Sequence, residues 1–360
     1  TEARMSGPLR GLKIVEMEAV GPVPWAGMML ADMGARVVRV DRPMAADMGL
    51  DRDERFELSG RGKQTVTIDA KTPNGVAELF RLIADADVLL EGLRPGVMER
   101  LGLGPDECFK RNPALIYGRM TGWGQTGPQS NTAGHDINYI ATSGFLHAIG
   151  AKETPPLLPL NVVGDFGGGG MLLLVGVLAA LIERQSSGRD QVVDAAMVDG
   201  MLMLMAPHLG RWQGGEWDGA RGSHIFAGIA HFYATYETAD GKYLAVGAIE
   251  PQFYAALLRG LGLDGEILPR QHDRSFWPQM RSRFAEIFRR RTRDDWCAIF
   301  EGTQACVSPV LAVSELSQDV HLAARRSLIE IDGVLHPAPA PRFSRTPGMI
   351  AGRPARRLSK

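Results

Sequence analysis

Residues 12–41 read LKIVEMEAVGPVPWAGMMLADMGARVVRVD, and this stretch decides the fold. Leu12 to Met17 is an apolar run of strand length. Gly21, Pro22 and Pro24 mark a turn, and the residues from Trp25 to Met33 repeat at helical spacing before Gly34, which suits a C-cap. Ala35 to Val40 is a second, β-branched run. Strand, helix and strand in that order make a βαβ unit, whose strands are parallel and whose ligands sit at the strands' carboxyl ends.

The same grammar continues outward. Thr65 to Asp69 reads as a strand, Pro73 to Ala84 as a helix behind Thr72, and Val88 to Glu91, Leu115 to Arg119 and Gln191 to Asp194 as further strands. The fold class expected is α/β, a large doubly wound parallel-sheet (Rossmann-like) domain over 1–185. A linker and helical connection spans 186–232, and a smaller α+β domain spans 233–325, opening on a hairpin with an Asp240-Gly241 turn. Residues 326–360 form a return segment and tail, with six basic and no acidic residues from Arg342 on. Asp41 ends the second strand where a dinucleotide fold carries its ribose-binding acid, but the first turn lacks G-x-G-x-x-G, which argues against a nicotinamide cofactor. Arg42, Arg61, Lys63 and Arg94 all follow strands or glycines. In a parallel sheet they converge on one edge and favour an anion; a solvated charged loop over 44–62 is the other reading.

Composition excludes several classes. A formal net charge of -1 disfavours a general nucleic-acid or membrane-surface binder. Three cysteines, Cys108, Cys297 and Cys306, lack metal-ligand spacing and fit reduced packing residues in a cytoplasmic setting. The segment before Ile14 is short and polar, so no leader is expected. The longest apolar run, Met171 to Ile182, falls short of the roughly 20 residues of a membrane span and reads as a buried core helix. No G-x-S-x-G elbow and no metal-ligand cluster occur.

Two stretches carry chemistry: Gly134-His135-Asp136-Ile137-Asn138-Tyr139, and Val163-Gly164-Asp165-Phe166 followed by glycines at 167–170. Each places an ionisable side chain at an expected helix start, where unpaired N–H groups and the helix dipole can hold an oxyanion. His135 there is either a capping or core residue or a neutral imidazole base. Asp165 is either an N-cap or a proton-transferring acid. Four glycines exceed what a cap needs and suggest close approach by a ligand. Methionines at 197, 201, 203 and 205 read as core packing, or as an adaptable wall. Glu250, before Pro251, reads as a helix-start acid, while His147, His208, His272 and His321 sit in ordinary helical contexts.

These two stretches, with Arg119-Met120-Thr121-Gly122-Trp123-Gly124-Gln125 and Gly247-Ala248-Ile249-Glu250-Pro251-Gln252-Phe253, resemble the signatures of the family III CoA-transferase superfamily, and of its acyl-CoA racemase branch in particular. The likeness runs in order from about Gly7 to Arg345. It implies an interlocked homodimer acting on an acyl-CoA thioester, with no cofactor beyond the CoA that belongs to the substrate. It further implies that His135 and Asp165 exchange protons at the α-carbon of a 2-methylacyl-CoA and that the Asp136 N–H stabilises the enolate. Glu250 would support His135 from the partner subunit. Arg42, Arg61, Lys63, Arg94, Gly134 and Tyr139 match the CoA- and substrate-binding segments. The alternatives are CoA transfer between carboxylic acids, with Asp165 as nucleophile, and a non-catalytic acyl-CoA binder. The chain departs from the racemase pattern at Glu18, where a small residue is usual, and at Gly228-Ile229-Ala230-His231.

Overall fold

The structure is a computed structural model that describes residues 6–44 and 53–352. Much of the charged loop expected at 44–62 and the end of the basic tail lie outside the described residues. The chain forms two compact units. The first holds the residues through Ser143, Leu158–Ala206 and those from Val320; the second holds Gly144–Leu157 and Pro207–Asp319.

The first unit is built on a six-stranded sheet of β1 (Lys13–Met17), β2 (Arg36–Asp41), β3 (Gln64–Thr67), β4 (Val88–Glu91), β5 (Ile116–Thr121) and β6 (Gln191–Ala196). Its order is β3-β2-β1-β4-β5-β6 and every pairing is parallel. Winding therefore reverses between β1 and β4, which opens a crevice at their carboxyl ends. Alternation along the strands feeds two cores. Ile14, Val37, Leu90 and Ile116 face α1 (Pro22–Asp32) and a long helix described below, while Val15, Val40, Leu89 and Tyr117 face α2 (Pro73–Ala84).

Helix α2 shows how local sequence sets an element. Thr72 Oγ1 accepts from the Gly75 N–H at 3.0 Å, Pro73 occupies the first turn, and Gly75, Leu79 and Ile83 make one buried stripe. Burying each of the two large side chains contributes roughly 1.5–3 kcal/mol. The expected span of 73–84 is the observed one.

The apolar run is longer than expected. A π-helix at Val162–Met171 continues without a break into an α-helix at Leu172–Ser187, giving 26 residues, long and apolar enough to cross a membrane by length and composition. The four glycines hide this continuity, because glycine weakens any helical pattern read from sequence. The inward stripe of Leu173, Leu174, Val177, Ala180 and Leu181 belongs to the core of this unit, as the sequence reading required, whereas Val175 and Ile182 are exposed. A hairpin at Leu328–Ile331 and Val334–Pro337 completes the unit.

The second unit has a three-stranded antiparallel sheet, Tyr233–Glu237, Tyr243–Gly247 and Val307–Pro309, covered by helices at Pro251–Leu261, Trp277–Phe288 and Arg293–Phe300. It begins at Pro207 rather than near 233, and it includes Gly144–Leu157, because contacts, not the composition change at the hairpin, delimit it. His231 is buried in its aromatic core, with Nε2 2.9 Å from Tyr254 Oη and rings of Phe232 and Phe284 at its edges. Burial depresses its pKa to about 4. Cys306 is exposed, so the expectation that all three cysteines are packing residues is corrected there.

Candidate active site

Both ionisable stretches lie in the first unit and the structure joins them. We name Asp136–Thr142 α3, the π-helix through Ser187 α4, and Met197–Leu204 α5. His135 is the N-cap of α3, its backbone N–H donating to Asn138 Oδ1 at 3.0 Å, and the residue is exposed. The reciprocal bond of Asn138 accounts for a helix start here, as the sequence reading required.

Asp136, next in the chain, is buried. Its Oδ1 accepts the backbone N–H of Asp165 at 2.8 Å, so one carboxylate ties the start of α3 to the first turns of α4. Gly164 makes this approach feasible, since a Cβ there would come within 2.2 Å of the same oxygen. Sequence reasoning assigned Asp136 only a backbone role; its side chain holds the site together.

Asp165 is half-buried and does not cap a helix. Asn161 is the N-cap, and Asp165 lies one turn further in. The correction has a cause: a π-helix takes an extra residue per turn, and such turns recur at functional sites. The Asn161 amide donates to Asp165 Oδ2 at 2.9 Å. Burial raises the Asp165 carboxyl above its ordinary range, while the Asn161 bond and the nearby His135 pull it back. Sequence reasoning missed Asn161; its spacing four residues before Asp165 is the signal that could have found it. Gly21, with φ 70°, brings the turn after β1 to the same carboxylate: a Cβ there would lie 3.3 Å from Asp165 Oδ2.

The glycine run serves packing, not only a ligand. A Cβ on Gly168 would crowd Met201, one on Gly169 would meet Met197 and Met120, and one on Gly170 would strike Trp25 and the Pro22 carbonyl. Gly200 on α5 sits so close that its Cβ would be 1.9 Å from Gly168 O. Met197 and Met201 are thereby core residues, whereas Met203 is exposed. Gly134 likewise makes room for Tyr139, whose ring is buried edge-on to Trp123 at 4.8 Å between centroids. Burial and the charge of Asp165 raise the Tyr139 pKa, and Arg94 acts in the opposite sense, so Arg94 also belongs to this neighbourhood.

The four cations separate into two kinds. Arg61 is buried, with Nε and Nη2 donating to Asp32 at 3.2 and 2.6 Å and Nη1 to Pro337 O at 2.8 Å. Lys63 Nζ donates to both Glu16 oxygens at 2.8 and 2.7 Å and to Pro24 O at 2.7 Å. These two are structural ion pairs, which corrects the expectation that they stand open to a phosphate; the burial of Glu16 and Asp32 in this unit could not be read from residue types. Arg42 and Arg94 remain exposed just beyond β2 and β4. Asp41 is buried and bonded to Arg39 at 2.6 Å. Glu250 lies in the second unit, exposed at the N-cap of Pro251–Leu261, with no side-chain cap bond.

A buried carboxylate, a half-buried acid of raised pKa and an exposed imidazole, side by side at a sheet's switch point, can hold and move a proton. The model of CoA-transferase family III matches residues 9–356. Alpha-methylacyl-CoA racemase of Mus musculus is 48% identical over 95% of this chain and 88% of its own, and that of Homo sapiens 45% identical over the same shares. A crystal structure of a CAIB/BAIF family protein from Brucella suis superposes with TM-score 0.85 at 25% identity, covering 98% of this chain and 96% of its own. The chain belongs to CoA-transferase family III.

Proposed function

We propose that the protein is an isomerase that interconverts the (2R) and (2S) forms of 2-methylacyl-CoA thioesters. The observation that carries this reading is the 2.8 Å bond from the Asp165 N–H to Asp136, which brings Asp165 beside His135 in one site. The identity to alpha-methylacyl-CoA racemases supports it. In this reading one of His135 and Asp165 removes the α-proton and the other returns a proton to the opposite face. The thioester oxygen gains charge in the enolate and is met by the Asp136 N–H, at the first residue of α3. Arg42 and Arg94 take the CoA phosphates, and Tyr139 and Gly134 shape the wall beside the reacting carbon. No cofactor is required beyond the CoA of the substrate.

The working unit in this reading is a cytoplasmic homodimer, with Glu250 of one copy supporting His135 of the other. The exposed apolar side chains of Val175, Ile182, Met203 and Leu204 on the first unit support a second copy as their cover.

The test is incubation of a single epimer of a 2-methylacyl-CoA in deuterated water with no acceptor acid. Loss of optical purity with deuterium at the α-carbon is the expected result. Acyl exchange seen only after a second carboxylic acid is added would replace this reading with CoA transfer, and binding without either reaction would leave a carrier.

A further inference from the structure

Glu18 is the first residue after β1, at the edge of the crevice where the winding of the sheet reverses. A carboxylate there is electrostatically unhelpful to a polyanionic substrate, so what it holds is informative. Its backbone N–H donates to Val40 O at 2.9 Å, which extends the zipper between β1 and β2 by one residue. Its Oε2 accepts both the backbone N–H of Arg42 at 2.8 Å and the Arg42 Nε–H at 3.1 Å. The Glu18 side chain is 13% exposed and that of Arg42 is 51% exposed, so the anchor is shielded and the guanidinium faces outward.

A guanidinium has five N–H donors in a planar fork. Glu18 takes Nε, and the two Nη groups of Arg42 make no hydrogen bond among the described residues. With Nε occupied, the Nη1–Nη2 edge is left to donate two parallel bonds to a phosphate. We propose that Glu18 is a positioning residue for binding of the CoA nucleotide: by gripping Arg42 at Nε and at the backbone, it holds the guanidinium plane so that its Nη edge meets a phosphate oxygen pair. This rests on the reading of Arg42 as a CoA contact. Arg61 marks the contrast, since Asp32 occupies its Nε and one Nη and leaves no such edge open. A flexible arginine would have to be ordered on binding; one held at two points binds with that ordering already done.

The test compares wild type with Glu18→Ala, Glu18→Gln, Arg42→Ala and the Glu18→Ala/Arg42→Ala double variant, each checked for an unchanged thermal midpoint. Calorimetry measures binding of CoA and of pantetheine, which lacks the nucleotide phosphates, without turnover. Glu18→Ala should weaken CoA binding about tenfold, or about 1.4 kcal/mol, and leave pantetheine unchanged. Its KM for an acyl-CoA should rise in step while kcat holds. Glu18→Gln, which retains an oxygen acceptor for Nε–H, should recover most of the loss, and the double variant should bind no more weakly than Arg42→Ala. Tighter or unchanged CoA binding by Glu18→Ala, or an equal loss with pantetheine, would overturn the proposal. Failure of Arg42→Ala to weaken CoA binding would instead overturn the assignment of Arg42, and absence of deuterium exchange by the wild type would overturn the racemase reading alone.

Discussion

The starts of α3 and α4 look alike in the sequence and differ in the molecule. His135 caps a regular α-helix and is exposed, with Asn138 closing the turn. Asp165 is inside a π-helix, half-buried, with its backbone N–H bonded to Asp136 and its carboxylate bonded to Asn161. The difference has a chemical meaning. Burial raises the Asp165 carboxyl above its ordinary range. In the proposed racemisation Asp165 must both take and give a proton, and a carboxyl whose pKa is raised is the better suited to do both.

The largest effect is expected from removing either group. His135→Ala and Asp165→Ala should each lower the racemisation rate by about 10³-fold, within the range for lost acid–base catalysis, while CoA binds within a few-fold of wild type. Full activity in either, measured by chiral chromatography of the product, would break the two-base assignment.

The packing of the two starts predicts the next contrast. Gly200→Ala forces a Cβ onto Gly168 O and should destabilise the protein by about 1–3 kcal/mol in a denaturant titration. Asn138→Ala, which only unties the α3 cap, should cost about 1 kcal/mol. Equal costs would deny that the π-helix is the more tightly held of the two.

Asn161 sharpens the electrostatic half of the comparison. Its bond favours the charged form of Asp165, so Asn161→Ala should raise the Asp165 pKa further and move the acid limb of the pH–rate profile to higher pH, with a smaller loss of rate than Asp165→Ala. A limb that stays in place would assign it to another group.

The smallest effect concerns stability. A carboxyl whose folded pKa lies above its unfolded value favours folding while protonated, and this contribution is lost as pH rises through the folded pKa. At neutral pH the charge on Asp165 therefore costs stability. Asp165→Asn should raise the thermal midpoint slightly at pH 7, have less effect below pH 4, and lower the racemisation rate about as much as Asp165→Ala. A lower midpoint at pH 7 would show that the carboxylate is better satisfied than its burial indicates.

Reading from the sequence succeeded where physics is local. The βαβ unit at 12–41, the Thr72-capped helix and the hairpin at Asp240-Gly241 follow from apolar spacing, caps and turns, each confined to neighbouring residues. Reading the site was less complete. His135 and Asp165 stood out as ionisable residues at a helix start and before a glycine run, but Asn161 and the Asp136 carboxylate act through contacts that a π-turn and a 29-residue separation create. The cations teach the same point, since Arg42 and Arg61 look equivalent until Asp32, far from Arg61 in sequence, is seen beneath one of them.

The sequence by itself determined the parallel α/β framework and marked two ionisable stretches, at His135 and Asp165, that the fold brings together. Only the tertiary structure decided which charges are neutralised inside, that the four glycines seat α4 against α5 and α1, and that Asp165 is buried enough to hold its proton longer than a free carboxylate. Secondary structure depends on residues a few positions apart. Burial and pairing depend on which distant segments arrive at the same place.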